Sequence, residues 1–538
     1  MSSAELLIVR ARPWSEGRTV PGADTIAIAG GRILAVGPAA EVSALASPST
    51  RRLDAAGATV TPGLCDAHLH LVAWARARQE LALEGLGSRR DVLERVARHC
   101  AAHPGEEPII GRGWDEHGWE APPTRAALDE VAGGRAVILH RKDFHAVWVN
   151  GGALERAGIT AATPEPAGGK IERLTSGEPS GVFREHAVRL FRDLIPPVSP
   201  AADLARCREA ADELLRSGIT SVHVFEGDRE AEVLSALSRE AGPRVRILMH
   251  LPAGALERPA GDLPRSGEGD DWFRWGAVKL FADGTLGSRT AAMLEPYDGT
   301  NERGMDLLSP AELAELTAHA FGRGLSIAIH AIGDRAVRSC LDAIESAGAA
   351  PALPPRIEHA QCVDPHDLPR FAQLGVAASM QPQHCTADAP LVRRWWASRA
   401  AHSYPWAALL RSGALLAFGS DAPVEPPVPA WGLHAAVTRA GRGGGVPAPA
   451  PEQKISLDQA LTGYTEGPAR LAGLWPRHGR LAAGAVADLV IWNQDLHSLA
   501  GDALADARPA STLLSGEIGS AMAGSHVAPV RSFPGAPR

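Results

Sequence analysis

Lysine is almost missing from this chain. Among 538 residues and 54 basic side chains it occurs only at Lys142, Lys170, Lys279 and Lys454; every other basic residue is arginine. Paired cysteines are also missing. The six cysteines (Cys65, Cys100, Cys207, Cys340, Cys362 and Cys385) include no Cys-x-x-Cys spacing. A disulfide framework belongs to short secreted chains, so these read as reduced, buried thiols in a cytoplasmic protein. Long apolar runs are absent as well. The first is four residues, Leu6 to Val9, bounded by Glu5 and Arg10. A signal peptide needs an apolar stretch of roughly 7–15 residues and a membrane span about 20, so neither is expected. Nor is one sign of charge in large excess. A net charge of −8 over this length gives no basic footprint, so no nucleic-acid partner is expected. The chain has neither a Walker-type phosphate loop nor a Gly-x-Ser-x-Gly nucleophile elbow.

What is present is ordinary bulk composition and a strong order of elements. Hydrophobic residues make up 45% and charged residues 22%, enough for a large core. Residues 1–61 read as short strands broken by turn signals such as Gly30-Gly31, and strand-like text returns at 479–492. Both ends are therefore expected to build one small β-sandwich domain, from 1–61 and 480–538. About the last 17 residues, rich in proline, glycine and serine, are expected to fray. The middle alternates apolar strands with helical stretches, the signature of a parallel α/β sheet. Eight strands are expected at 60–71, 219–225, 245–251, 277–282, 325–330, 356–360, 377–381 and 415–420. This is an α/β fold: a (β/α)8 TIM-like barrel over 62–479, with a large insertion after strand 1, at 85–200, serving as a lid subdomain.

Barrel active sites form at the C-terminal ends of the strands. Those ends hold a coherent set: Asp66-Ala-His68-Leu-His70, then Lys279, His330, Glu358-His359 and Ser420-Asp421. Residues i and i+2 of a strand face the same side, so His68 and His70 can both enter the barrel mouth and share one ion. A lone His-x-His is weak evidence. Four further ligand-type residues, each at its own strand end, give the pair its weight.

The ordered text Thr61-Pro-Gly-Leu-Cys-Asp-Ala-His-Leu-His70, Lys279-Leu-Phe-Ala-Asp-Gly-Thr-Leu-Gly-Ser-Arg-Thr-Ala291, Ile329-His-Ala-Ile-Gly-Asp-Arg-Ala336, Arg356-Ile-Glu-His-Ala360 and Phe418-Gly-Ser-Asp-Ala-Pro423 resembles the amidohydrolase superfamily. Within it, the likeness is to the YtcJ-like and N-substituted formamide deformylase-like branch, over nearly the whole chain. The resemblance implies a divalent metal center, zinc first, of one or two ions. His68, His70 and Asp421 would hold one ion, His330 and His359 a second, and Lys279 would bridge them as a carbamate (N6-carboxylysine). It implies hydrolysis of a non-peptide C–N bond, in an amide, N-formyl or N-acyl compound, by attack of metal-bound hydroxide. Asp421 would be ligand and general base. Only a neutral amine can take up CO₂, which lysine becomes on burial and arginine does not. The alternatives for Lys279 are an ion pair with a carboxylate such as Asp283, or an unmodified amine beside one metal.

Four residues are expected to reach the substrate: Trp114 and His145 from the insertion, Arg289 after strand 4, and His384 after strand 7. For Arg289 the competing expectation is a structural salt bridge. His223, Arg335 and the cysteines near the strands read as packing or salt-bridge residues. A deaminase or cyclic-amide hydrolase on the same barrel is the nearest rival. Deamination would require a glutamate where this chain reads His330-Ala-Ile-Gly-Asp334. A non-catalytic scaffold is further away, because no ligand position is lost. The partner is a small-molecule substrate of unread identity, and related barrels suggest a homodimer.

Overall fold

The computed structural model of the chain describes residues 3–240, 244–349, 351–444 and 447–521. The terminal segment expected to fray, 522–538, lies outside the described residues. At the center stands an eight-stranded, all-parallel sheet in chain order: Leu64–Leu69, Ile219–Phe225, Arg246–Pro252, Phe273–Phe281, Ile327–Ala331, Arg356–His359, Ala377–Met380 and Leu415–Phe418. Its two outer strands meet just past their ends. The Asp421 N–H donates to the His68 carbonyl at 2.6 Å, and the His70 N–H donates to the Ala422 carbonyl at 2.8 Å. The sheet thereby closes into a barrel at the mouth where the ligand-type residues lie.

One expected strand divides in two. The stretch 60–71 is cut at Gly63, so that Thr59–Pro62 belongs to a different sheet from Leu64–Leu69. A Cβ at Gly63 would lie 2.2 Å from Thr220 Oγ1, so only glycine lets the chain change sheets against barrel strand 2.

The small domain is assembled from both termini. Its four-stranded sheet uses Ala4–Val9, Thr25–Ala29, Arg32–Gly37 and Ala46–Asp54. The six-stranded sheet joins early strands to Leu489–Trp492, Pro509–Leu514 and Glu517–Ala521. Between them Leu6, Ile8, Ile26, Leu53, Val60, Leu489, Ile491 and Leu513 form one apolar core.

The insertion carries a third sheet of six strands, running from Leu81–Ala82 to Pro179–Glu185. Both faces are buried: Leu139 and Trp148 face one apolar cluster, and Ile138, Val147 and Phe183 face another. The chain returns to the barrel through Pro200–Arg216, a helix whose N-cap Ser199 accepts from the Ala202 N–H. Among the described residues no helix is long and apolar enough to cross a membrane.

Candidate active site

A cavity of about 400 Å³ opens at the C-terminal mouth of the barrel. Its lining includes His68, His70, Lys279, His330, His359 and Asp421, together with His145 and His384. All six expected ligand residues thus face one space. Among the described residues, donor atoms of His68, His359 and Asp421 lie within 4.8 Å of one another. The Nε2 atoms of His68 and His70 both stand 3.5 Å from Asp421 Oδ1. The His330 and His359 ring centroids are 4.5 Å apart.

Backbone shape aims these side chains. His359 and Asp421 have φ of 73° and 61°, a left-handed conformation uncommon outside glycine. Along a regular strand, adjacent residues face opposite ways, yet Glu358 and His359 both reach the barrel interior. The left-handed turn at His359 resolves that conflict.

Each imidazole is held by its far nitrogen. His68 Nδ1 donates to Glu358 Oε2 at 2.6 Å, and His70 Nδ1 donates to the Phe225 carbonyl at 2.5 Å. His359 Nδ1 donates to Gln381 Oε1 at 2.7 Å, and His330 Nε2 donates to the Gly284 carbonyl at 3.1 Å. Outer partners of this kind fix tautomer and ring orientation, leaving the inward nitrogen as a lone-pair donor. Burial lowers the His68 pKa to about 4, so the neutral ring that a metal requires prevails at pH 7. Burial alone would raise the pKa of Asp421, but His68 and His70 hold it well below the usual carboxylate range. The nitrogens of His68 and His359, kept neutral by burial, and the ionised carboxylate of Asp421 converge and fit a borderline-soft divalent cation; at His70 burial would lower the pKa, but Asp421 raises it.

Lys279 lies in this floor as a buried amine. Its Nζ sits over the rings of Phe225 and Phe281, 4.5 and 4.9 Å from their centroids. Among the described residues it has no ion-pair partner. Asp283 is not one, because its carboxylate accepts from the backbone N–H groups of Ala292, Ile332 and Gly333 at 2.8–3.0 Å. Burial lowers the Lys279 pKa to about 8, so roughly a tenth of the amine is neutral at pH 7.

The four expected substrate contacts divide. His145 lines the cavity, its ring centroid 5.6 Å from that of His330. His384 lines it too. Its Nε2 is buried without a hydrogen-bond partner, 3.9 Å from Asp421 Oδ2. Trp114 does not reach the site: it is 0% exposed, packs in the core of the insertion, and donates from Nε1 to the Leu139 carbonyl at 2.7 Å. Arg289 also falls outside the lining, with Nη1 3.2 Å from Glu302 Oε2 and its guanidinium over Trp395. The salt-bridge expectation holds for Arg289. His223 and Arg335 fall as expected, His223 accepting from Arg356 at 2.8 Å and Arg335 pairing with Asp306 at 3.4 Å.

Two positioning carboxylates have no role assigned from the sequence. Glu358 stands out there only as part of the strand-end set, whereas in the structure it shares a strand face with Arg356, whose Nε donates to it at 2.5 Å. Glu185, which accepts from His145 Nδ1 at 2.6 Å, has no local signal, being far along the insertion.

The amidohydrolase family model matches residues 51–519. Putative amidohydrolase YtcJ of Bacillus subtilis (strain 168) is 32% identical, over 84% of this chain and 86% of its own length. N-substituted formamide deformylase of Arthrobacter pascens is 30% identical, over 91% of this chain and 94% of its own. Among solved structures, an uncharacterized metal-dependent hydrolase from Pyrococcus horikoshii OT3 matches with a TM-score of 0.72 at 27% identity. That match covers 90% of this chain and 96% of the other.

Proposed function

The chain belongs to the amidohydrolase family, and from that premise we propose that it hydrolyses the C–N bond of an N-formyl or N-acyl amide in a zinc-dependent reaction. The observation that carries this is the convergence of His68, His359 and Asp421 donors on the floor of a substrate-sized cavity. His68, His70 and Asp421 would hold one ion, and His330 and His359 a second. Lys279 would join them after its neutral amine takes up CO₂ as a carbamate. When bound, the metal supplies Lewis acidity, which acidifies water and polarises a carbonyl.

The protein's own groups account for the proton traffic. Asp421 stays ionised and faces the cavity, so it can accept the proton of the attacking water and deliver it to the leaving nitrogen. His384 Nε2, without a partner beside the other oxygen of Asp421, is placed to meet the substrate there. Phe281, Leu307 and Ile332 give the cavity an apolar wall. Asp334 does not take the part of a deaminase glutamate. It stands outside the lining and accepts from the Leu294 N–H at 2.8 Å. The six free cysteines support a reducing, cytoplasmic setting.

The test is a panel of N-formyl, N-acyl and cyclic amides offered to zinc-reloaded protein, with amine release as the readout. Asp421→Asn is expected to abolish turnover while the circular dichroism stays that of the wild type. Turnover retained by the variant would remove Asp421 from this role.

A further inference from the structure

The insertion sends one histidine into the barrel mouth and fixes it with unusual thoroughness. His145 Nδ1 donates to Glu185 Oε2 at 2.6 Å, and its backbone N–H donates to Asp143 Oδ1 at 3.0 Å. Glu185 is 6% exposed and takes a φ of 51°, a strained conformation for a non-glycine residue. Its backbone N–H donates to the His145 carbonyl at 2.8 Å, closing a ring of contacts between the two residues.

The barrel grips this pair from its own side. Thr290, in the loop that follows the strand of Lys279, donates its hydroxyl to Glu185 Oε1. Thr285 of the same loop donates to Asp143 Oδ2 at 3.2 Å. Arg141 pairs with Asp143 at 2.6 Å and also with Asp115 and Glu116. The insertion is thus tied to the barrel around His145.

With Nδ1 occupied by a carboxylate, only Nε2 remains to face the cavity, and among the described residues it has no partner. It lies above strands 4 and 5, beside His330, across the mouth from Asp421 on strand 8. A carbonyl carbon attacked from the metal floor pushes charge onto its oxygen, and a donor already aimed at that oxygen is worth most in the transition state.

We propose that His145, held in place by Glu185 and Thr290, is a catalytic residue that donates from Nε2 to the carbonyl oxygen of the scissile amide. The insertion then completes the active site rather than only covering it. This rests on the amide-hydrolase reading. Glu185 and Thr290 are positioning residues that act through His145.

His145→Gln keeps an N–H for Glu185 but removes the imidazole, and His145→Ala opens a space for added imidazole. Both are expected to lower kcat about 10²-fold, with little change in KM and with the zinc content of the wild type. Imidazole in the buffer is expected to restore part of the rate to His145→Ala only. Calorimetric titration with methylphosphonate, an oxyanion probe, is expected to show at least 10-fold weaker binding to His145→Gln than to wild type. Wild-type kcat in both variants, loss of zinc from His145→Gln, equal affinity for methylphosphonate, or no binding by the wild type would each overturn the assignment. A wild type that cleaves no amide of the panel, yet binds methylphosphonate in a His145-dependent way, would instead retract the amide reading.

Discussion

At the scale of single residues, the site depends on side chains that never touch the cavity's contents. Glu358 is fully buried and takes three donors, Arg356 Nε, Arg356 Nη2 and His68 Nδ1, at 2.5, 3.1 and 2.6 Å. Burial alone would raise its pKa, but Arg356 and His68 hold it well below the carboxylate range. A permanent negative charge behind His68 fixes the ring and raises its basicity toward a cation. Glu358→Gln keeps the shape and removes that charge. It is expected to weaken zinc binding about 10- to 100-fold in a chelator competition. Unchanged affinity would mean that Glu358 serves the fold alone. Lys279 belongs to the same scale: the chain's near-total preference for arginine makes a buried lysine in the cavity lining stand out in the sequence.

At the scale of elements, strand ends were legible because two periodicities coincide there. Apolar strands such as Ile219–Phe225 and Leu415–Phe418 announce themselves, and the polar residues that follow them fall where a barrel puts its chemistry. The break at Gly63 has a local signal in the pair Pro62-Gly63, but the change of sheet has none, since Thr220, which packs against Gly63, lies far away in sequence. Trp114 shows a second limit. In Gly111-Arg-Gly-Trp114 an aromatic beside glycines looks like a binding motif, but sequence spacing does not say which face of a sheet meets an apolar cluster. Arg289 shows a third, because its partner Glu302 is brought near only by the fold of the following loop. The histidines were found because their chemistry is rare. Glu185 and Gln381 were missed because carboxylates and amides are common on any surface.

At the scale of the whole molecule, the sandwich is held to the base of the barrel by a buried ion pair. Arg246, at the start of the third barrel strand, places Nε and Nη2 at 2.6 and 3.0 Å from the carboxylate of Asp488, beside the sandwich strand Leu489–Trp492. Burial would raise the Asp488 pKa, yet Arg246 and His478 depress it below its ordinary value. A depressed folded-state pKa contributes stability that is full above the unfolded value near 3.9 and is lost as pH falls below it. Denaturant midpoints are therefore expected to drop below about pH 4 in the wild type. Asp488→Asn strands the arginine and is expected to cost about 3–5 kcal/mol at pH 7, with a shallower acid loss. Equal midpoints at pH 7 would show that the sandwich docks without this pair.

The whole molecule is expected to depend on metal at its barrel mouth. The most direct measurement is the rate of amide cleavage before chelation, after removal of the metal, and after return of zinc. The rate is expected to fall to background in the stripped protein and to recover on reloading. Full activity in protein verified to be metal-free would contradict the account.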